Sequence, residues 1–92
     1  MSIVVRFPPS NASKQQYEQV RNALEESGDW PADGCQLHVA FGPEDDIRVS
    51  EVWESREKFQ AFGDTLRPKI QEAGIQLAGE PEVFDAFVFE TF

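Results

Sequence analysis

Two neighbouring runs of alternating apolar and polar residues, 35–41 and 47–53, restrict the fold more than any other feature of the sequence. Alternation with period two is typical of strands that bury one face. A polar loop of five residues, 42–46, separates the runs. Because so short a loop favours strands that turn back on each other, we predict an antiparallel hairpin.

One register of this hairpin follows from pairing its inner ends. With Phe41 opposite Ile47, His38 lies opposite Ser50. This register turns the polar residues of the hairpin to one face of the sheet: Gln36, His38, Arg48 and Ser50. A slip of one residue would turn every side chain to the opposite face.

The segment before the hairpin has the period of a helix. Ser13 and Gln16 have the spacing of a capping box, in which each side chain bonds the other residue's backbone N–H. Apolar residues at helical spacing follow, and Gly28 is a suitable residue just past a helix end. We therefore predict a helix over 13–27.

The segment after the hairpin predicts a second helix, over 55–73. Ser55 is a suitable N-cap, and Gly74 follows the last apolar residue of the stripe. Pro68 lies inside the pattern, where it lacks the N–H for a helical hydrogen bond. It should therefore kink the helix near 64–67 or split it in two.

Apolar segments at both ends complete the order of elements. Residues 3–7 form a short strand that ends at Pro8, and residues 83–92 form a last strand that is apolar on both faces. The order is therefore β-α-β-β-α-β, the ferredoxin-like pattern of two helices on one face of a four-stranded antiparallel sheet. We predict this α+β fold, with residues 1–92 as one domain.

A sheet with both helices on one face leaves its other face open. A chain of 92 residues has a thin core, and Val4, Val52 and alternate residues of 83–92 would be exposed on the open face. A large exposed apolar patch usually marks an interface. We therefore predict a homodimer with the open faces packed together about a two-fold axis.

The charge balance excludes several classes of partner. Eight Lys and Arg against 17 Asp and Glu give a net charge of −9, which repels nucleic acid and anionic membranes. No apolar run is long enough to span a membrane, and the first residues lack the pattern of a signal peptide. The one cysteine, Cys35, suits a reducing compartment, so we expect a cytoplasmic protein.

The sequence also resembles a known family. The stretch Leu37–Ala40, the strand end Val49–Ser55, the phenylalanines of the next helix, Leu66–Pro68 and Gly74 are similar to small proteins of the dimeric α/β-barrel superfamily, relatives of the antibiotic-biosynthesis monooxygenases. The resemblance covers residues 35–92 and the first helix in outline. It implies a homodimer whose sheets form a barrel, with a cavity between sheet and helices in each subunit.

The resemblance identifies the fold better than the activity. Some relatives oxidise aromatic substrates without a cofactor, and others degrade haem with a histidine on a helix. Here His38 is the only histidine, and it lies on a predicted strand. The Asn, Trp and Tyr set of the quinone-forming relatives is not matched either, since Tyr17 is the sole tyrosine.

Two residues are candidates for catalysis. His38 is the only imidazole, so it is the natural general base near neutral pH. Glu51 interrupts the apolar face that looks toward the helices, and buried carboxylates are typical of functional sites. The alternatives are a hydrogen-bonded sheet histidine near the dimer interface and a glutamate that reaches solvent or an arginine.

A group of large apolar residues is a candidate for binding a small apolar or aromatic molecule: Trp53, Phe59, Phe62 and Leu66. Pockets for small molecules are mostly apolar with a few polar groups. The alternative is ordinary core packing, which is the commoner role of such a stripe.

No cofactor or metal site is expected. One histidine and one cysteine cannot form the usual zinc site, and the sequence has no phosphate-binding loop or dinucleotide fingerprint. Two hypotheses remain open: an enzyme-like dimer with an apolar cavity, resembling a cofactor-independent monooxygenase, and a non-catalytic dimeric binding or regulatory module.

Overall fold

A computed structural model describes all residues 1–92 and contains six elements in the predicted order. The elements are β1 (Ile3–Arg6), α1 (Lys14–Glu26), β2 (Cys35–Phe41), β3 (Arg48–Trp53), α2 (Arg56–Glu72) and β4 (Glu82–Asp85). The strands form one sheet in the order β2-β3-β1-β4, and every neighbouring pair is antiparallel. The predicted α+β, ferredoxin-like arrangement is confirmed.

The ends of α1 are set by the residues that the spacing indicated. The Gln16 backbone N–H donates to Ser13 Oγ at 3.0 Å, and the Ser13 N–H donates to Gln16 Oε1 at 2.9 Å. This capping box satisfies two N–H groups that have no partner within the helix. Gln16 also donates from Nε2 to the carbonyl of Ala73 at 3.1 Å, which ties the start of α1 to the end of α2.

Pro68 does not split the second helix. α2 runs without interruption from Arg56 to Glu72, with Ser55 as its N-cap and Gly74 in the left-handed region at φ 76°. The single helix predicted over 55–73 is therefore confirmed, and the alternative of two separate helices is wrong. The apolar stripe on α2 packs against the core, and this packing holds a helix together better than its intrinsic propensity does.

The core lies between the two helices and one face of the sheet. Val5 and Trp53 are fully buried, and Ile3, Leu24 and Phe62 pack with them. These residues come from β1, β3 and both helices, so α1 and α2 cover the same face. Neither helix is long and apolar enough to cross a membrane.

The register predicted for the central hairpin is wrong by one residue. Phe41 lies opposite Arg48, and His38 lies opposite Glu51 rather than Ser50. An irregularity between Cys35 and Leu37 inserts an extra residue into β2. Since cross-strand partners share a face, His38 points to the helix side together with Glu51.

The same slip makes the open face of the sheet more apolar than expected. Leu37, Val39 and Phe41 are 40%, 43% and 49% exposed on that face, where polar residues were predicted. Val52, which was expected to be exposed there, is buried between its cross-strand partners on β1 and β2. The open face thus combines large apolar side chains of β2 with polar residues of β3 such as Arg48 and Ser50.

The last strand is shorter than predicted, because β4 ends at Asp85. Each of its four residues pairs with one of the four residues of β1. The Ala86 N–H donates to the Ser2 carbonyl at 2.9 Å, just beyond the start of β1. The residues that follow Ala86 therefore have no residue of β1 opposite them. Residues 86–92 therefore lie outside the sheet, and Phe87 and Phe92 are fully exposed rather than covered on both faces.

We predict that Ser13→Ala lowers the free energy of unfolding by about 1 kcal/mol, because it removes one half of the capping box. Urea denaturation measures this change. Ser50→Ala is the matched control, since the Ser50 side chain makes no hydrogen bond on the open face, and it should leave the unfolding midpoint nearly unchanged. Equal midpoints for the two variants would contradict the role given to the cap.

Candidate functional site

A cavity of about 100 Å³ lies between the sheet and the two helices. Its walls are mostly apolar and it is partly open to solvent. The polar lining is confined to five residues: Ser10, Tyr17, Arg21, His38 and Glu51. Because four of these five belong to a single hydrogen-bonded chain, the cavity combines apolar walls with a concentrated polar end.

The hydrogen-bonded chain runs from α1 across the sheet to the core. Arg21 donates from a guanidinium nitrogen to the Tyr17 hydroxyl at 3.4 Å, and that hydroxyl lies 2.7 Å from His38 Nε2. His38 Nδ1 lies 2.6 Å from Glu51 Oε2. Trp53 donates from Nε1 to Glu51 Oε1 at 2.9 Å. Five side chains thus form one continuous path.

The chemistry of the two ends fixes the direction of the hydrogen bonds there, since Arg21 and Trp53 can only donate. Arg21 can only donate, so the Tyr17 oxygen accepts from it, and the hydroxyl still has a proton and a second lone pair with which to bond His38 Nε2. Each oxygen of the Glu51 carboxylate faces one N–H, and the His38 Nδ1–H is the second of these donors. The His38 ring therefore presents Nδ1 to the Glu51 carboxylate and Nε2 to the Tyr17 hydroxyl.

Glu51 is the most buried charged residue of the chain, with 3% of its surface exposed. An ionised group in such a place is very unfavourable without partners. Here both carboxylate oxygens accept a charge-assisted hydrogen bond, one from the fully buried Trp53. No buried side-chain polar atom in the molecule lacks a partner. The carboxylate therefore holds the His38 ring in one orientation.

Trp30 forms the wall that faces the His38 ring. The two ring centres are 5.0 Å apart and nearly perpendicular, and Trp30 also touches Phe62 on α2. The Arg21 guanidinium lies 4.7 Å above the Trp30 ring, a cation–π contact that holds both side chains at the cavity. Arg21 is further paired with Glu25 at 3.0 Å.

The predicted site residues separate into three groups. His38 and Glu51 are brought together at the polar end of the cavity, and Phe62 and Leu66 line its apolar part. Trp53 lies behind the cavity, where it binds Glu51. Phe59 lines a different depression on the other side of Leu66.

Three contributors were not singled out in the sequence: Tyr17, Arg21 and Trp30. Tyr17 and Arg21 are four residues apart on α1, so they share one face of the helix. The available signal was this spacing, which places the only tyrosine beside a cation on the edge of the apolar stripe.

Cys35 lies next to this network without belonging to it. Burial, and after it the negative charge of Glu51, raise the pKa of the thiol to about 11, while a hydrogen bond with the backbone of Leu37 opposes the rise. Such a thiol is almost entirely protonated near neutral pH and reacts slowly. No three His, Cys, Asp or Glu side chains come together in a group that could hold a metal ion.

Comparison with solved structures identifies the fold of the chain. A protein of Chloroflexus aurantiacus J-10-fl, provisionally described as an antibiotic biosynthesis monooxygenase, matches with a TM-score of 0.58 and 21% identity over 98% of this chain and 96% of its own. The chain has the antibiotic biosynthesis monooxygenase fold. No family model and no curated protein matches the sequence.

Two further structures agree with this fold. One is a protein of Caulobacter crescentus CB15 with the same provisional description, a TM-score of 0.60 and 21% identity over 95% of this chain and 89% of its own. The other is SnoaB of Streptomyces nogalater, a cofactor-independent oxygenase, with a TM-score of 0.61 and 16% identity over 96% of this chain and 93% of its own. At these identities the likeness concerns the fold alone.

The effect of the Glu51 charge on the pKa of the Cys35 thiol can be measured. Glu51→Gln removes the second cause of the raised thiol pKa, so the midpoint of the pH–rate profile for alkylation by iodoacetamide should shift downward from about 11. Glu54→Gln, which removes an exposed carboxylate from the same end of β3, is the control and should leave the midpoint unchanged. An unchanged midpoint in Glu51→Gln would contradict an ionised Glu51.

Proposed function

We propose that the protein is an enzyme that removes a proton from a small hydroxylated aromatic molecule and passes the resulting anion to O2 without a cofactor. The observation that carries the proposal is the Tyr17–His38–Glu51 hydrogen-bonded chain, which ends at the wall of an apolar cavity. An oriented imidazole with a carboxylate behind it is the usual arrangement of a general base. The apolar walls favour a substrate with few polar groups.

Tyr17 is the group that meets the substrate. Both nitrogens of His38 are already bonded, one to Tyr17 and one to Glu51, so a ligand in the cavity reaches the imidazole through the tyrosine hydroxyl. Tyr17 gives its proton to His38 Nε2 and takes the proton of the substrate hydroxyl. Glu51 stabilises the imidazolium that forms, and Arg21 stabilises negative charge on the Tyr17 oxygen.

The oxygenation step balances with O2 as the only co-reactant. For a hydroquinone, loss of the hydroxyl proton raises the electron density on the neighbouring ring carbon, which forms a bond to O2. Loss of the hydrogen from that carbon and cleavage of the O–O bond leave one oxygen atom on the ring. The other oxygen leaves as water, so hydroquinone and O2 give hydroxyquinone and water.

The fold comparison supports this assignment. SnoaB, a cofactor-independent oxygenase, is built on the same fold. The size of the cavity adds a restriction, because about 100 Å³ is less than the engineered cavity of about 150 Å³ that holds benzene. The ring of the substrate therefore needs more space than the cavity alone provides, and its hydroxyl group is directed toward Tyr17.

We expect oxygen uptake with a hydroquinone to depend on the hydrogen-bonded chain. His38→Ala and Tyr17→Phe should each lower kcat/KM by about a hundredfold or more, the usual contribution of a general base. Glu51→Gln should lower it less, because the imidazole remains but its orientation is lost. Ser50→Ala, on the open face of the sheet, is the control and should retain the full rate.

A hydroquinone that binds but is not oxidised would contradict the enzymatic proposal and favour the non-catalytic binding module. Oxidation at the same rate in wild type and in His38→Ala would also contradict it, since the reaction would then be spontaneous. A binding titration shows whether the hydroquinone binds, and a blank reaction without protein gives the spontaneous rate of oxidation.

We further propose that the protein is a homodimer that packs the open faces of two sheets together, each chain forming one domain over 1–92. The support is the set of exposed large apolar residues on the sheet and in the C-terminal segment: Leu37, Val39, Phe41, Phe84, Phe87, Val88, Phe89 and Phe92. Each copy has a net charge of −9, so the contact must be apolar to overcome the repulsion between copies.

Sedimentation tests the dimer directly. The wild-type chain should sediment at twice its mass of 10.4 kDa at micromolar concentration. Val39→Glu should shift it to the monomer, because Val39 lies in the exposed patch, whereas Lys14→Glu on α1 should not. A wild-type monomer would contradict the proposal.

A further inference from the structure

A second depression, a groove of about 740 Å³, lies beside the cavity. It is bounded by α2 on one side and by the chain between α2 and β4 on the other. Pockets that bind small molecules measure about 300–1,000 Å³, so the groove lies within this range while the cavity lies below it. The two spaces together can therefore hold a ligand that the cavity alone cannot.

The groove and the cavity share a wall. Five apolar side chains line both spaces: Phe7, Leu66, Ile70, Ile75 and Leu77. One layer of side chains is thus all that separates the cavity from the groove. Displacement of one member of the wall would join the two spaces.

Leu77 is the member of this wall that is least fixed. Residues 76–81 make no backbone–backbone hydrogen bond, whereas the preceding Ile75 N–H donates to the Ile70 carbonyl at 3.2 Å. A segment without such hydrogen bonds opens at low cost in free energy. Leu77 can therefore move aside without breaking any hydrogen bond of the backbone.

The lining of the groove has more basic than acidic residues, unlike the molecule as a whole. Its lining includes Arg56 and Arg67 but only one acidic residue, Glu80, while the whole chain has a net charge of −9. Arg67 pairs with Asp64 at 3.2 Å, and Arg56 pairs with Asp85 at 3.3 Å.

Both pairs are exposed at the surface, with half or more of each side chain accessible to solvent. Exposed ion pairs contribute little free energy. A carboxylate of a ligand can therefore replace either aspartate at small cost. The groove offers two guanidinium groups, eleven residues apart on α2, and each is suited to bind a planar anion by itself.

We propose that the groove binds the anionic end of an aromatic carboxylate whose phenolic end reaches Tyr17 in the cavity, with Leu77 as the movable part of the wall between them. This inference rests on the proposed function and names its substrate class: a hydroxylated aromatic acid longer than one ring. The cavity supplies proton transfer, and the groove supplies affinity and selects for charge.

Two ligands that differ by one group test the proposal: 2-naphthol and 6-hydroxy-2-naphthoate. They share the rings and the phenolic hydroxyl, and only the second has a carboxylate. Calorimetry should give about fivefold or tighter binding for the naphthoate in the wild-type protein. The combined variant Arg56→Gln with Arg67→Gln should abolish this difference while leaving the affinity for 2-naphthol unchanged. Arg48→Gln, an exposed arginine outside the groove, should preserve it.

The NMR signals of His38, the only histidine, separate failure of the groove from failure of the proposed function. If both ligands shift these signals but bind equally, or if the preference survives in the double variant, the groove proposal is overturned and the proposed function stands. If the naphthoate is preferred but the His38 signals do not move, the proposed function is overturned, because the ligand then binds without affecting the Tyr17–His38–Glu51 chain. If neither ligand binds, both are overturned.

The movable wall has a test of its own. Leu77→Ala joins the two spaces and should strengthen binding of the naphthoate several-fold, while the binding of phenol, a single ring, changes little. Leu77→Trp should weaken naphthoate binding by filling the passage. Equal naphthoate affinities in the two variants would contradict the role of Leu77, and neither substitution touches the Tyr17–His38–Glu51 chain.

Discussion

The buried carboxylate of Glu51 is the constraint on which the rest of the molecule depends. A buried carboxylate needs a hydrogen-bond donor at each of its oxygens. Trp53 Nε1 bonds one oxygen of Glu51, and His38 Nδ1 bonds the other. His38 can reach Glu51 only if β2 pairs with β3 in the observed register. That register sends the opposite residues of β2 outward and creates the apolar open face.

The same constraint links the core to the proposed chemistry. Because Glu51 fixes the His38 ring through Nδ1, the Nε2 atom points to the cavity wall, where Tyr17 and Arg21 extend the hydrogen-bonded chain. Trp30 limits the space in front of the imidazole. The buried Glu51 carboxylate thus links the register of the hairpin to the position of the polar end of the cavity.

The sequence predicted the parts of the structure that depend on local pattern. The order of elements and the helix caps at Ser13 and Ser55 follow from periodicity and short-range hydrogen bonding. The hairpin register and the length of β4 did not follow, because they depend on the partners of His38 and on how far β1 extends. Local patterns often mislead at functional sites, where polar residues replace an apolar face.

The candidate site was predicted in part for the same reason. Glu51 stood out as a charge on an apolar face, whereas Tyr17 and Arg21 lie on a helix whose contact with β2 no local pattern reveals.

The proposed chemistry depends on how the His38 ring is oriented between Glu51 and Tyr17, and nitrogen-15 NMR of this single histidine measures which ring nitrogen has the proton. We expect that, in the neutral ring, the proton is on Nδ1 and Nε2 has the chemical shift of an unprotonated nitrogen. A neutral His38 with its proton on Nε2 would contradict it.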